Sequence, residues 1–299
     1  MWSVASAAVR GARPRRHFVP GAAPVRMFSV SSLGPPVAAT VAPGKCFFGE
    51  SWQPVPLVSR TPISHDTRLL TFGLPDTSKP LGLSTCACLL MRGGAGGPVD
   101  AQGVPVVRPY TPVSTNAMLG RFELMVKVYP EGKMSQHLEH MEVGHTVDFK
   151  HIDKNVKMQY PFNKPEVGML VGGTGIAPMI QALHAVLGTR GDSTKVSLLY
   201  GSRSTSDVLC KGTLDEWSDA NPDRLSVTHV LSHEAEGSPW SGARGFISKE
   251  LVQAKMPAPS SDCVIFVCGP PPMYDALCGP RDSIELTGLL FELGYKPEQ

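Results

Sequence analysis

From Val167 to Leu293 the chain alternates strand-length apolar runs with helix-length segments, and this rhythm restricts the fold more than any other feature. Val167–Val171, Lys195–Tyr200, Arg224–Leu231 and Cys263–Cys268 read as strands. Pro178–Leu187, Ser206–Ser218, Ser248–Ala254, Pro270–Leu277 and Asp282–Leu293 read as helices. Strand and helix in alternation predict a parallel, doubly wound sheet. Such sheets bind ligands outside the C-terminal ends of their strands.

Before Lys164 the texture differs. Gln53–Arg60, Thr67–Gly73, Cys86–Arg92 and Arg121–Tyr129 are short runs bounded by Pro, Gly and Asp. Phe122, Leu124, Val126 and Val128 fall on one face of the last run. Met134–Met141 reads as a lone helix. Gly 30 and Pro 28 of 299 residues supply many turns. Seven or so strands with one helix predict an antiparallel barrel. The expected fold class is therefore α+β with two domains: a barrel over 46–151, a linker over 152–165 and an α/β domain over 166–299.

Residues 1–44 are set apart from both. Six basic residues and no acidic one fall in 1–49, leaving 22 basic against 26 acidic residues in 50–299. An acid-free, Arg- and Ser-bearing leader has the composition of a mitochondrial transit peptide, and a chloroplast address is compositionally similar. It is expected to lie outside the fold. The acidic body argues against nucleic acid as a partner. No apolar run reaches about 18 residues, so no transmembrane helix is expected. Seven cysteines without C-x₂-C spacing argue against a metal centre and a disulfide scaffold.

Four short motifs carry chemistry. Val171-Gly-Gly-Thr-Gly-Ile-Ala-Pro178 joins a strand to a helix. Its glycines let backbone approach a pyrophosphate, the helix N-terminus attracts anions, and Pro178 fits a first turn that needs no N–H. A tight turn without a ligand would look the same. Cys268-Gly-Pro-Pro-Pro-Met273 sits at the end of another parallel strand and places a thiol at the ligand-binding edge, or simply buries a cysteine. Arg108-Pro-Tyr-Thr-Pro-Val-Ser114 sets a planar cation, a ring and two hydroxyls on one extended segment, suited to a flat ring plus a phosphate, or to a rigid bend. Gly132-Lys-Met-Ser-Gln136 opens the lone helix. The Met134 and Ser135 N–H groups with the Ser135 hydroxyl would make an anion seat, or an ordinary capped helix.

Taken together, the four motifs resemble the NADH–cytochrome b5 reductase family, within the ferredoxin–NADP reductase-like superfamily. The resemblance spans Gln53 to Lys296, with the motifs in the family's order, and the leader and Phe149–Phe162 resemble the organellar branch. It implies a FAD-binding barrel followed by a NAD(P)H domain. Arg108 and Pro109 then stand at the flavin pyrophosphate, Tyr110 and Thr111 along the isoalloxazine, with Thr111 near its N5. Lys133, Met134 and Ser135 would seat phosphates, and Met125 and Lys127 lie on the strand flanking the flavin. Gly173, Thr174 and Gly175 would meet the nicotinamide nucleotide. Cys268, on the Gly269-Pro270 turn closed by Met273, would sit beside the nicotinamide. The implied reaction is hydride transfer from NADH or NADPH to FAD, then single electrons to a cytochrome b5-like haem protein.

Three positions depart from the family pattern. Ser232 stands where an acid often selects NADH, with Arg203 on a neighbouring strand-end loop, so NADPH use is open. Ala177 replaces a common Thr beside the flavin. The sequence stops at Gln299, before the family's usual last strand. A reductase for another separate acceptor (an oxygenase, an iron–sulfur protein or a quinone) fits the same motifs, and so does a flavin-binding protein without turnover. Lys127, Lys133 and Lys150 are expected near one rim, as a basic patch for an acidic partner.

Overall fold

A computed structural model describes residues 32–41, 45–152, 156, 158–281, 283 and 285–297. Six strands form the first sheet: β1 (Gln53–Pro62), β2 (Thr67–Gly73), β3 (Leu89–Arg92), β4 (Val107–Tyr110), β5 (Arg121–Lys127) and β6 (Thr146–His151). All neighbours are antiparallel, in the order β4-β3-β6-β1-β2-β5. β4 lies at the edge, which accommodates Pro109, a residue with no N–H to give to a second neighbour. Beyond β4, the Val113 N–H donates to Glu123 O at 2.9 Å and the Glu123 N–H to Ser114 Oγ at 2.9 Å. These bonds return the chain to β5 and curl the sheet towards closure. Six strands, rather than seven, follow because Cys86–Cys88 is not paired: Cys86 takes a left-handed φ of 66° in a turn before β3.

Phe48, Phe72, Phe122 and Phe149 fill the barrel, with ring centroids 5.0–6.0 Å apart. Phe122, Leu124 and Val126 face this core as their alternation predicts. Met125 points the opposite way and is buried too, because the second domain covers that face of β5. Helix α1 (Lys133–His140) presents Met134 and Leu138 to the barrel.

The second sheet is parallel, in the order β10-β9-β8-β7-β11. Its strands are β7 (Glu166–Gly172), β8 (Lys195–Ser202), β9 (Leu225–Leu231), β10 (Ala243–Arg244) and β11 (Cys263–Cys268). Helices α2 (Ile176–Gly188), α3 (Lys211–Ala220), α4 (Lys249–Lys255), α5 (Pro271–Cys278) and α6 (Leu289–Glu292) complete the doubly wound unit. The expected helix over 206–218 divides into a 3-10 turn, Thr205–Asp207, and α3, with Cys210 at φ 56° between them. The helix expected over 282–293 shortens to α6. Upstream of it, Gly288 lies so close to α5 that a Cβ there would come 2.7 Å from Cys278 N.

The linker is less of a tether than its polarity suggests. Phe162 is buried in the second core, edge-on to Phe266 at 5.0 Å, and the Tyr160 hydroxyl donates to Asp192 at 2.6 Å. Residues 1–31 of the expected leader lie outside the described residues, but 32–41 do not stand apart from the fold as expected. They lie across α2 and α3, held by backbone bonds to His184, Thr213 and Trp217. The physical reason is local: Leu33-Gly-Pro-Pro-Val37 carries no charge, and its backbone groups bond the side chains of His184, Thr213 and Trp217.

Candidate functional site

The two domains meet where β5 runs past the Gly173–Gly175 turn. Val113 and Met125 of the barrel belong to the same buried cluster as Ile176, Ala177 and Ile180 of α2. Gln181 of α2 ties the seam with both ends of its amide. Its Oε1 accepts from the Cys86 N–H at 2.7 Å and its Nε2 donates to Ser114 O at 2.8 Å. The Cys86 thiol donates to Pro178 O at 3.1 Å, and burial pushes that thiol up to about 12.

The two glycine-bearing motifs of the second domain interlock. Register places Val171 beside Cys268 on adjacent parallel strands. A Cβ on Gly175 would collide with Cys268 O and lie 3.1 Å from Gly269 N. One on Gly172 would come within 2.9 Å of Pro270, and one on Gly269 within 2.6 Å of Met273 Sδ. Small residues are therefore demanded by close backbone approach, not only by a ligand. Gly173 differs: it holds φ at 53°, and nothing lies within 4 Å of where its Cβ would be. That open side is where a ligand's backbone-hugging phosphate would fit. The Gly173 carbonyl is fixed by the buried Tyr200 hydroxyl at 3.0 Å, which also accepts from the Leu209 N–H at 3.3 Å. Tyr200 escaped the sequence reading, since its partners lie on other segments. Cys268 is half-buried, and burial holds its thiol above the ordinary value, so it stays protonated near neutral pH.

On the barrel side, Arg108 and Pro109 are exposed on the edge strand, with Tyr110 and Thr111 half-buried behind them. The Arg108 guanidinium donates to Val107 O at 2.8 Å and, among the described residues, pairs with no carboxylate. Burial pushes the Tyr110 phenol up to about 12. An exposed cation beside a partly covered ring fits a flat ring carrying phosphate.

Two expectations need correction. The Ser135 hydroxyl does not face an anion seat. It is buried, accepting from the Tyr129 N–H at 3.1 Å and donating to Gly132 O at 3.0 Å, and it is the reason position 132 is glycine: a Cβ there would collide with Ser135 Oγ. Met134 likewise packs into the barrel, so Met134 and Ser135 can meet a ligand only through their backbone N–H groups. The three lysines do not stand as free charges on one rim either. Lys133 donates to Val99 O at 2.8 Å, and Lys150 lies 5.0 Å from the Trp52 ring, which Arg92 also approaches at 4.7 Å. Lys127 pairs with Asp66 at 2.6 Å and with Asp207 at 3.7 Å. Burial raises the Asp66 carboxyl, but hydrogen bonds from Lys127 and Thr67 and the Lys127 charge outweigh it and leave it below the ordinary carboxylate value. His65, Asp66 and Asp207 bring possible metal-ligand atoms within 4.8 Å of one another, and the Lys127 ammonium already sits on that group. Lys127 thus joins barrel to second domain.

The ends of β8 and β9 bring Ser232, His233 and Arg203 together. The His233 N–H donates to Arg203 O at 2.7 Å, and Ser232 Oγ lies 2.8 Å from His233 Nδ1. Ala177 is buried in the first turn of α2.

The arrangement agrees with what is found by comparison. The oxidoreductase FAD-binding domain family matches residues 54–155, and the oxidoreductase NAD-binding domain family matches 169–279. The chain is 39% identical over 262 residues to NADH-cytochrome b5 reductase 2 of Scheffersomyces stipitis, covering 86% of this chain and 85% of that one. It is 40% identical over 256 residues to NADH-cytochrome b5 reductase 2 of Yarrowia lipolytica, covering 84% and 85%. Among solved structures, it is similar to the cytochrome b5 reductase domain of Ulva prolifera nitrate reductase, with TM-score 0.70 and 28% identity over 87% of this chain and 97% of that one. The chain belongs to the NADH–cytochrome b5 reductase family, and its barrel and parallel sheet are that family's FAD-binding and NAD-binding domains.

Proposed function

We infer that this protein is a FAD-dependent reductase that accepts hydride from NADH and delivers electrons singly to a cytochrome b5-type haem protein. The observation that carries this reading is the seam itself: β5 of the FAD-binding domain against the Gly173–Gly175 turn of the NAD-binding domain. Bound FAD supplies the conversion of a two-electron donor into single electrons. The chain's own residues bind, orient and exclude water.

Arg108, unpaired with any described carboxylate, would neutralise the FAD pyrophosphate, with Pro109 holding its strand extended. Tyr110, whose phenol burial keeps protonated, and Thr111 would line the isoalloxazine, and Met125 would pack near it across β5. The N–H groups of Met134 and Ser135 and the Lys133 ammonium would meet phosphate oxygens. Gly173, Thr174 and Gly175 would admit the nicotinamide nucleotide to the backbone. Cys268 would stand beside the nicotinamide as a neutral, polarizable wall, since a thiol held protonated by burial is a poor nucleophile. Gly269, Pro270 and Met273 would set its height by the close contacts described above.

Ser232 neither repels a 2′-phosphate nor grips a ribose hydroxyl as an acid would, so the NADH preference is expected to be shallow. The acid-free basic leader supports a mitochondrial address, which fractionation of the tagged full chain would test. The decisive measurement is the visible spectrum of the purified full chain, followed by anaerobic addition of NADH and, separately, NADPH. Bleaching by NADH and onward reduction of cytochrome b5 is the expected outcome. A protein that stays colourless with added FAD, or a bound flavin that NADH leaves oxidised, would sink the reading.

A further inference from the structure

Residues 32–41 cross the seam between the two domains. On the NAD-binding side, the His184 ring is wholly committed to this segment. Its Nδ1 accepts from the Val37 N–H at 3.0 Å, which makes Nε2 the protonated nitrogen, and Nε2 donates to Ser32 O at 2.8 Å. His184 is only 1% exposed, so without the segment two buried ring nitrogens would lose their partners. The Trp217 indole donates to Gly34 O at 3.1 Å and the Thr213 hydroxyl to Leu33 O at 3.2 Å. On the barrel side, the Ser32 hydroxyl donates to the Glu123 carboxylate of β5, and Asn116 Nδ2 donates to Ala39 O at 3.4 Å. Pro35 and Pro36 stiffen the span between Gly34 and Val37, both anchored on the NAD-binding side.

An independent observation comes from the end of α2. Gly188 needs no left-handed φ, yet a Cβ there would come 2.6 Å from Ala38 N and 2.8 Å from Val37 C. The three atoms nearest that Cβ all belong to the segment, so the missing side chain makes room for it.

We propose that residues 32–41 are a working part of the enzyme: a strap that holds the NAD-binding domain in register with the flavin barrel and so positions the hydride donor. The proposal rests on the reductase reading above. The hydrogen bonds just described go to His184, Thr213, Trp217, Glu123 and Asn116, none of them placed at the flavin or the nicotinamide. It acts through α2, which follows directly on the Gly173–Gly175 turn and whose middle carries Gln181 to the barrel. Removing the leader as far as residue 44 would take the strap with it, whereas a cut before Ser32 would leave it in place.

The test uses the full chain, Gly188→Ala in the full chain, and a chain beginning at Lys45, each loaded with FAD. Alanine at the end of a helix favours folding, so Gly188→Ala pushes on the strap without weakening α2. Hydrogen exchange reports whether 32–41 is bound. Rapid mixing with saturating NADH reports flavin reduction. We expect protection of 32–41 to be lost in Gly188→Ala, and flavin reduction to slow about tenfold or more, with FAD occupancy and the NADH KM little changed. A synthetic peptide of residues 32–41 should restore much of the rate to the chain beginning at Lys45. A strap released while flavin reduction keeps the full-chain rate would overturn the proposal, as would a strap that stays protected in Gly188→Ala. Failure of NADH to reduce the flavin of the full chain would instead refute the reductase reading.

Discussion

The two halves of the molecule are stabilised in different ways. The barrel closes on itself around four phenylalanines, and every member of its core cluster comes from residues 48–149. The NAD-binding half borrows: Val113 and Met125 of the barrel sit inside its main cluster, and Gln181 and His184 of α2 reach out to segments 67 to 152 residues away. A self-contained half can carry a cofactor on its rim without moving. A borrowing half is built only when docked, so its ligand-binding edge and its docking are one property. The comparison predicts that damage to the barrel core is global, whereas damage at the seam is read first in the NAD-binding half.

The largest effect should come from the barrel centre. Phe122 is fully buried and meets Phe48, Phe72 and Phe149. Phe122→Ala should cost roughly 3–5 kcal/mol and release the flavin together with the fold. Denaturant unfolding followed by flavin fluorescence and tryptophan emission would check it. Trp217 and Trp240 lie in the NAD-binding half, so two separate transitions would break the picture of a barrel on which the other half depends. Next comes Gly175→Ala, where the new Cβ meets the rigid backbone of Cys268 and Gly269. NADH-driven flavin reduction should fall about a hundredfold, while the bound-flavin spectrum survives. A smaller effect is expected at the borrowed contact. Val113→Ala, about 2 kcal/mol by lost burial and cavity, should lower the unfolding of the NAD-binding half while leaving the aromatic core of the barrel intact.

The same comparison explains what the sequence disclosed. Strands, helices and the two glycine motifs are written in neighbouring residues, by apolar periodicity and by backbone freedom, so β7 to α2 and β11 to α5 were readable to within a few positions. The seam was not. Gln181 is one polar residue in an apolar helix, Tyr200 one aromatic in a strand, and His184 one histidine among nine, and their partners lie on distant segments. Residues 32–41 read as leader because composition averages over the whole stretch, and ten uncharged residues near its end do not change the average. Ser135 was misplaced for a related reason. A serine near a helix start reads as an exposed cap, but its hydroxyl turns inward once Tyr129 folds over it.

The smallest expected effect separates the halves by pH. His184 and His229 of the NAD-binding half are both buried, and burial is the main cause holding each below the ordinary value of 6.5. Among the described residues His229 has no hydrogen-bond partner on either ring nitrogen, and His184 uses Nδ1 as an acceptor that protonation would abolish. A folded value below the unfolded one means that the native state binds fewer protons. The stability these rings contribute is therefore fully present above about pH 6.5 and is lost as pH falls through their lower folded values, at up to about 1.4 kcal/mol per pH unit for each ring. In the barrel, His137 carries the same sign but is only half-buried, so its share is smaller. Melting followed from pH 8 to pH 5 should show tryptophan emission, which reports Trp217 and Trp240 beside these rings, failing at higher pH than flavin release. His229→Phe should flatten that dependence. A slope that is unchanged in this variant would assign the acid sensitivity to His184, because the depressed carboxylates Asp66 and Asp192 lose their stabilisation only below this pH range.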